Sequence, residues 1–270
     1  MAAIEDRPST CRLPGLILAS CLVLCISPGW ANADQTPVSS TDQPQEPDRK
    51  PDFLFGAPRG SIALRGNWRF AAAGSDLFDF VTRELTIDKK DFNSAGISGD
   101  VSYALTSRLD AQAGFEWNKV TMGSEYRDLV DNNLLSISQT TSLKVAHVNA
   151  GVRYSLTARG HEVSRFAWVP NRIVPFVGAG AGAVYYDFNQ SGDFVDFVDL
   201  SVFRDFFRSK GWAPSAHALG GVDVRLYRGL YATIEGRYTK AAGKLGSDFI
   251  DFDPIDLSGF KLSAGVNLLF

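Results

Sequence analysis

Residues 261–270 read KLSAGVNLLF, and apolar side chains alternate there with small or polar ones. The apolar set is Leu262, Ala264, Val266, Leu268 and Phe270. Because successive side chains of an extended strand point to opposite faces, this stretch predicts a β-strand with one apolar and one polar face. The fold therefore depends on whether the apolar face packs into a core or points outward into lipid.

The same period of two residues recurs along most of the chain. It covers eight segments, residues 61–70, 95–105, 109–117, 146–154, 175–186, 216–226, 231–238 and 261–270. Each segment is about ten residues long, the length that a tilted strand needs to cross a bilayer. The sequence thus predicts an all-β fold, a closed antiparallel up-and-down transmembrane β-barrel of eight strands.

Two kinds of barrel share this period. A soluble, lipocalin-like barrel keeps its apolar face inside, whereas an outer-membrane barrel turns it outward. The charged residues of the eight segments all lie on the polar face: Arg65, Arg69, Asp100, Asp110, Glu116, Arg153, Asp223, Arg225, Glu235, Arg237 and Lys261. A register shift of one residue would place these groups in lipid, at about 1 to 4 kcal/mol each. In a membrane the register is therefore fixed, and the eleven residues are predicted to form a charge network in the lumen.

Aromatic residues and connection lengths favour the membrane barrel. Aromatic side chains stand at the ends of the apolar faces, as at Trp68, Trp117 and Tyr154, which suits girdles at the two bilayer interfaces. Short and long connections alternate, as expected when one end of a barrel faces the periplasm. The link 155–173 is the exception, since a short turn is expected there. An even number of strands predicts that both termini of the barrel face the periplasm.

The residues before the barrel are predicted to be exported and unfolded. An apolar run at 13–30 is followed by Ala-Asn-Ala at 31–33, so residues 1–33 are predicted to be a cleaved signal peptide. A transmembrane anchor and a lipoprotein signal acylated at Cys21 are the alternatives. Residues 34–58 are rich in Pro, Asp, Gln and Ser, and they predict a disordered periplasmic linker before a barrel domain at 59–270.

The barrel domain resembles the small eight-stranded outer-membrane barrels, the group that includes the OmpA transmembrane domain and the OmpX and OmpW types. The run PFVGAGAGAVYYD at 175–187, the alternating last strand and the terminal Phe270 carry this resemblance. It implies a bacterial outer-membrane location, in contact with outer-membrane lipid and lipopolysaccharide. It also implies a signal for the barrel-assembly machinery at Leu262, Val266, Leu268 and Phe270.

The composition of the predicted lumen argues for a plugged barrel. Eight strands enclose an interior just wide enough for side chains to fill. Six cations and five carboxylates nearly cancel, so ion pairs are expected to fill it. The predicted role is structural or a surface interaction through long extracellular loops. A narrow porin-like channel is the first alternative, and a lipid A-modifying enzyme is the second.

No catalytic, cofactor or metal site is predicted. The three histidines, His147, His161 and His217, have no nucleophile and acid at a spacing that indicates a triad. The aspartates at 193–205 lack the spacing of a calcium loop. A net charge of −3 gives no electrostatic argument for nucleic acid as a partner.

The loop 187–213 is the predicted contact for a surface ligand. Apolar residues recur there every three or four positions, at Phe194, Phe197, Leu200, Phe203 and Phe207. This spacing, with acids between, predicts an amphipathic helix over 192–208. An extension of the strands, or a cap over the barrel mouth, is the alternative.

Overall fold

The computed structural model describes residues 53–131 and 133–270 of the chain. The predicted signal peptide 1–33 and most of the predicted linker 34–58 lie outside these residues. The strands are β1 Gly60–Ala71, β2 Ser94–Ala104, β3 Leu109–Val130, β4 Ser136–Ser155, β5 Gly160–Ser164, β6 Ala167–Pro170, β7 Ile173–Val195, β8 Val202–Tyr227, β9 Leu230–Gly243, β10 Ile255–Asp256 and β11 Gly259–Leu269. Helix α1 spans Asp76–Glu84, and two single turns of 3₁₀-helix span Lys89–Phe92 and Ser247–Phe249.

Eight of these strands form a closed antiparallel ring in the order β1, β2, β3, β4, β7, β8, β9 and β11. The ring closes because β11 pairs with β1 without interruption, from Ser61 opposite Leu269 to Ala71 opposite Gly259. The predicted eight-stranded up-and-down barrel is confirmed. Each predicted segment lies within an observed strand to within one residue, which shows how strongly the period of two specifies the ring strands.

The apolar face points outward and the polar face points inward. On β1, Leu64 is 63% exposed while the next residue, Arg65, is 2% exposed, and the same alternation follows the other ring strands. The soluble alternative is wrong, because a water-soluble barrel would bury the apolar set. A surface of this kind is stable only when hydrocarbon covers it.

The two ends of the barrel differ, and we name them by their connections. The turn end holds the connections 105–108, 156–172 and 228–229, and the loop end holds 72–93, 131–135, 196–201 and 244–258. At the turn end the unexpectedly long link contains the β5–β6 hairpin. Trp168 on β6 is buried and forms a β-bridge with Leu54, which is a residue of the predicted linker. Arg159 donates to the carbonyl oxygen of Thr106 at 3.1 Å, so the link is tied to a neighbouring turn.

The predicted amphipathic helix over 192–208 is wrong, and the alternative of a strand extension is confirmed. β7 and β8 continue as a hairpin to Val195 opposite Val202, so the predicted loop 187–213 shrinks to the connection 196–201. The phenylalanines pack across this hairpin, and the ring centroids of Phe194 and Phe207 are 4.7 Å apart. Aromatic and β-branched side chains favour this pleated pairing over a lone helix on the surface.

Beyond the apolar band, the faces of the long strands β3, β4 and β7 exchange polarity. At the edge of the apolar band Trp117 points outward. Two residues further toward the loop end, the outward residue is Lys119, and the next inward residue is the partly buried Val120. On β7 the inward Tyr186 and Phe188 are fully buried. The strand keeps its period of two, but its surroundings change from lipid to water, so its apolar side turns to the inside.

Two loops pack against this inward apolar surface. In α1, Leu77, Phe78 and Val81 share one helix face and are buried in the barrel mouth. Loop 244–258 adds Phe249, whose ring centroid lies 5.6 Å from that of Phe188. The mouth therefore contains a hydrophobic core, which we call the mouth core: Ala73, Leu77, Phe78, Val81, Leu85, Ile87, Phe92, Tyr126, Ile137, Leu143, Val145, Val184, Tyr186, Phe188, Val195, Ala213, Ala241, Phe249, Ile255 and Leu257.

The glycines of the run at 175–187 allow β4 and β7 to approach each other closely. A Cβ atom on Gly180 would lie 2.3 Å from the carbonyl oxygen of Ala150 and 2.8 Å from Cε1 of His217. No side chain fits at that position without displacing backbone. The glycines of the Gly-Ala alternation thus meet a packing requirement of the inner face, whereas Ala179 and Ala181 are exposed on the outer face.

We predict that Gly180→Val destabilises the barrel by about 3 kcal/mol, because overpacking against backbone has no room to relax. The matched control is Ala179→Val, one residue away on the exposed outer face. The measurement is the folded fraction on gels run without heating, where a closed barrel migrates apart from the unfolded chain. Equal folded fractions for the two variants would contradict the packing argument.

Candidate functional site

The structure places the eleven predicted lumen residues on the inner face of the ring. Ten are buried, and Arg225, near the turn end, is half-buried. Buried charges are tolerated only when they are paired or hydrogen-bonded, so the partner of each group decides what the lumen can do.

Arg237 on β9 lies at the centre of the largest cluster. Its guanidinium is 2.6 Å from a carboxylate oxygen of Glu116 and 2.9 Å from one of Glu235. Glu116 also contacts the Lys261 ammonium at 2.5 Å. Arg65 lies 3.6 Å from Glu235 and forms an ion pair with Asp100. These contacts join strands β1, β2, β3, β9 and β11 across the lumen.

A second cluster lies nearer the turn end. Arg153 forms an ion pair with Asp223, and Thr233 donates its hydroxyl to the other carboxylate oxygen at 2.6 Å. The Arg153 guanidinium stacks over the Phe176 ring, 3.5 Å from its centroid. The planar cation therefore has a carboxylate at its edge and an aromatic ring at its face, while its buried Nε has no hydrogen-bond partner.

Three of the predicted residues use partners that sequence reasoning did not find. Asp110 pairs at 2.9 Å with Arg159 of the long link. Arg69 donates to the carbonyl oxygen of Leu257 at 2.9 Å, and Arg225 donates to that of Pro170 at 2.8 Å. These contacts hold the loop and the link at the two ends of the barrel. The available signal was that charged residues, Arg159 among them, lie in a link where a short turn was expected.

The mouth core lies at the loop end of the lumen, beyond the ion pairs. Phe78 of α1 packs edge-on against Phe92, with ring centroids 4.7 Å apart. Tyr186 on β7 donates its hydroxyl to the carbonyl oxygen of Lys244, which anchors the loop 244–258. Between the ion pairs and this core, a cavity beside Glu116 and Lys261 measures about 20 Å³. That is room for about one water molecule.

The histidines do not assemble a catalytic group. His147 Nδ1 is 3.9 Å from Glu116, too far for a hydrogen bond, and His217 is buried on β8. His161 is exposed on β5. Within residues 53–131 and 133–270, no three His, Cys, Asp or Glu side chains are grouped as a metal site. No helix in this described part of the chain is long and apolar enough to cross a bilayer.

The aspartates of the β7–β8 hairpin shape its turn. Asp196 accepts a hydrogen bond from the Val198 amide at 2.8 Å, and Asp199 accepts one from the Ser201 amide at 2.9 Å. The hydrogen bonds from Ser201 lower the pKa of the Asp199 carboxyl. Short acidic side chains that bond to the backbone two residues ahead are turn formers, so their density here reflects the tight hairpin.

A closed ring with an apolar outer band and an ion-paired interior defines the class of this protein, a transmembrane β-barrel. No protein-family model and no curated protein matches the sequence.

Several solved structures are similar to this chain. Neisserial surface protein A is 12% identical, with 78% of this chain and 97% of that chain covered and a TM-score of 0.45. Ail of Yersinia pestis, the attachment invasion locus protein, is 13% identical, with 78% and 99% covered and a TM-score of 0.41. The N-terminal β-barrel domain of Pseudomonas aeruginosa OprF is 12% identical, with 79% and 98% covered and a TM-score of 0.32.

We predict that Arg237→Met lowers the free energy of unfolding by about 3 to 5 kcal/mol, because it leaves buried carboxylates without their central cation. The measurement is urea unfolding of the barrel in lipid vesicles. The control is Arg83→Met, whose ion pair with Glu84 is solvent-exposed and whose loss is expected to change stability by less than about 0.5 kcal/mol. Similar effects of the two substitutions would contradict a stabilising lumen network.

Proposed function

We propose that this protein is an outer-membrane barrel of a bacterium, with a lumen closed to solutes and a structural or surface-interaction role. The observation that carries the proposal is the filling of the lumen in two layers. Ion pairs around Arg237 occupy the level of the apolar band, and the mouth core occupies the loop end. A channel would need a continuous polar path past Phe78 and Phe188, whose fully buried rings stand there instead.

The outer membrane suits the chain for three reasons. The predicted signal peptide directs export, the outward band matches a bilayer, and the alternating last strand with Phe270 fits the assembly signal that the resemblance implies. In this placement the turn end of the barrel faces the periplasm, and both chain termini of the barrel domain lie on that side. The loop end faces the exterior, where lipopolysaccharide surrounds it.

The hairpin tips support a role in surface interaction. The turns of β3–β4 and β7–β8 expose apolar side chains, with Leu134 at 82% and Val198 at 94% exposure. Leu200 and Leu135 are exposed beside them. Exposed apolar side chains grouped at the turns of two neighbouring hairpins suit contact with a protein partner. This refines the proposed ligand contact of the 187–213 segment to the turn 196–201 and its neighbour 133–135.

The first test is electrical. In planar bilayers the folded barrel is expected to give no steady single-channel conductance, because both layers of the lumen are filled. A porin inserted in the same bilayer serves as the positive control, and heat-modifiability on a gel verifies that the sample is folded. Reproducible conductance steps from folded protein would support the channel alternative and overturn this proposal.

The second test concerns catalysis, since we also propose that the protein is not an enzyme. Mass spectra of lipid A from cells with and without the protein are expected to be identical. A change in acyl chains or headgroup that depends on the protein would establish the lipid A-modifying alternative. His147→Ala and His217→Ala would then locate the activity in the lumen.

A further inference from the structure

Four adjacent strands carry a row of charged residues on the outer face of the barrel. Lys119 on β3 lies opposite Lys144 on β4, Lys144 lies opposite Asp187 on β7, and Asp187 lies opposite Lys210 on β8. By the alternation of each strand, all four positions belong to the outward set, and the Asp187 side chain is buried beside its partners Arg208 and Lys144. We call Lys119, Lys144, Asp187 and Lys210, together with Arg208, the cation row.

The cation row stands at the edge of the apolar band. Aromatic residues occupy the next outward position toward the turn end on three of the four strands. They are Trp117 on β3, Tyr185 on β7 and Trp212 on β8. The ring centroids of Tyr185 and Trp212 are 5.4 Å apart. Amphipathic rings prefer the boundary between hydrocarbon and headgroups. A step of two residues is about 7 Å along a strand, so the cation row lies at headgroup level.

The single acid of the row does not cancel its charge. Arg208 binds Asp187 through two hydrogen bonds, at 2.8 and 2.7 Å, and the Lys144 ammonium is 3.7 Å from the same carboxylate. Lys119 and Lys210 are exposed, and no ion pair in the described part of the chain includes either of them. A second carboxylate, Asp248, accepts a hydrogen bond from the Arg208 amide at 3.0 Å. Four cations against these two carboxylates leave an excess of two positive charges.

This charge is confined to one side of the barrel. The outward positions of β1, β2 and β11 carry no charged residue, and those of β9 carry only Lys240. A general affinity for a negatively charged membrane surface would not require such a one-sided distribution. Lysines on three of four adjacent strands instead form a patch that spans three interstrand spacings, about 14 Å.

The surface beyond the cation row is rich in hydroxyl and amide groups. Thr121 and Ser142 hydrogen-bond to each other at 3.0 Å, with Asn189 beside them on β7. Further out lies a groove of about 610 Å³ whose lining includes Thr140 and Ser191, with its charged residues Glu125, Asp193, Arg204 and Asp205 at the far end. From the bilayer outward, the wall therefore presents aromatic rings, then cations, then hydroxyl groups.

We propose that the cation row binds the phosphate of a phosphorylated saccharolipid of the lipid A type, seated on the outer face of β3, β4, β7 and β8. The inference rests on the proposed outer-membrane location. Acyl chains lie along the aromatic rings, a phosphate contacts Lys119, Lys144 and Lys210, and the sugars contact the hydroxyl surface. A phospholipid has the phosphate but no sugars for that surface.

The test measures lipid binding to the full-length exported protein in detergent, by native mass spectrometry. The probes are bisphosphorylated lipid A, its dephosphorylated form and phosphatidylglycerol. The variant carries Lys119→Gln, Lys144→Gln and Lys210→Gln, and the matched control carries Lys89→Gln, Lys90→Gln and Arg165→Gln, three exposed cations elsewhere. Both variants are expected to fold, because none of these side chains belongs to the buried lumen. Heat-modifiability verifies this before binding is measured.

The row variant is expected to lose at least about tenfold in affinity for bisphosphorylated lipid A, while the control variant binds like the unmodified protein. The unmodified protein should bind the dephosphorylated form and phosphatidylglycerol much more weakly. Equal loss in both variants, or equal binding of phosphatidylglycerol, would overturn the proposal. Membrane fractionation of cells tests the location separately, so a barrel outside the outer membrane that still binds lipid A would refute only the proposed function.

Discussion

Closure of the sheet between its first and last strands is the constraint on which the rest of the structure depends. An unpaired backbone amide costs several kcal/mol in hydrocarbon, so a sheet can span a bilayer only when it has no edge. The unbroken β1–β11 register, from Ser61 to Ala71, satisfies that constraint. Closure at eight strands also fixes a narrow lumen. Inward charges must therefore be paired within the lumen or at its two ends, and Arg237, with Glu116 and Glu235 within 2.9 Å, is the clearest case.

The ring strands differ in length, and this explains why the lumen has two layers. β1, β2, β9 and β11 end near the boundary of the apolar band, whereas β3, β4, β7 and β8 continue well beyond it. The longer strands present an inward apolar surface that no opposite strand covers. The loops 72–93 and 244–258 leave from the shorter strands and fold over that surface, which buries α1 and Phe249. The helix is thus stabilised by tertiary packing, since nine residues are too few to be stable alone in water.

The sequence alone was sufficient to predict the ring strands, because within the bilayer each face of a strand meets a single environment. Lipid selects apolar residues outside, and ion pairing selects complementary charges inside, so strands, register and charged positions could be predicted. The third predicted segment ended at Trp117, whereas β3 continues to Val130 with the polarity of its two faces exchanged. At the β7–β8 hairpin, the spacing of the phenylalanines matched the period of a helix, although the segment forms two paired strands. Partners such as Arg159 depend on the path of the long link, which no local pattern encodes.

The exchange of polarity also determines which side chains the barrel presents inside and outside beyond the apolar band. The lumen is occupied at both levels, by ion pairs around Arg237 and by aromatic side chains around Phe188. The outward face of the long strands, however, changes within two residues from Trp117 to Lys119, and from Tyr185 to Asp187. The aromatic rings, the polarity exchange and the cation row therefore coincide at one register on neighbouring strands. The same change of polarity therefore turns apolar side chains into the mouth core and turns the cation row outward.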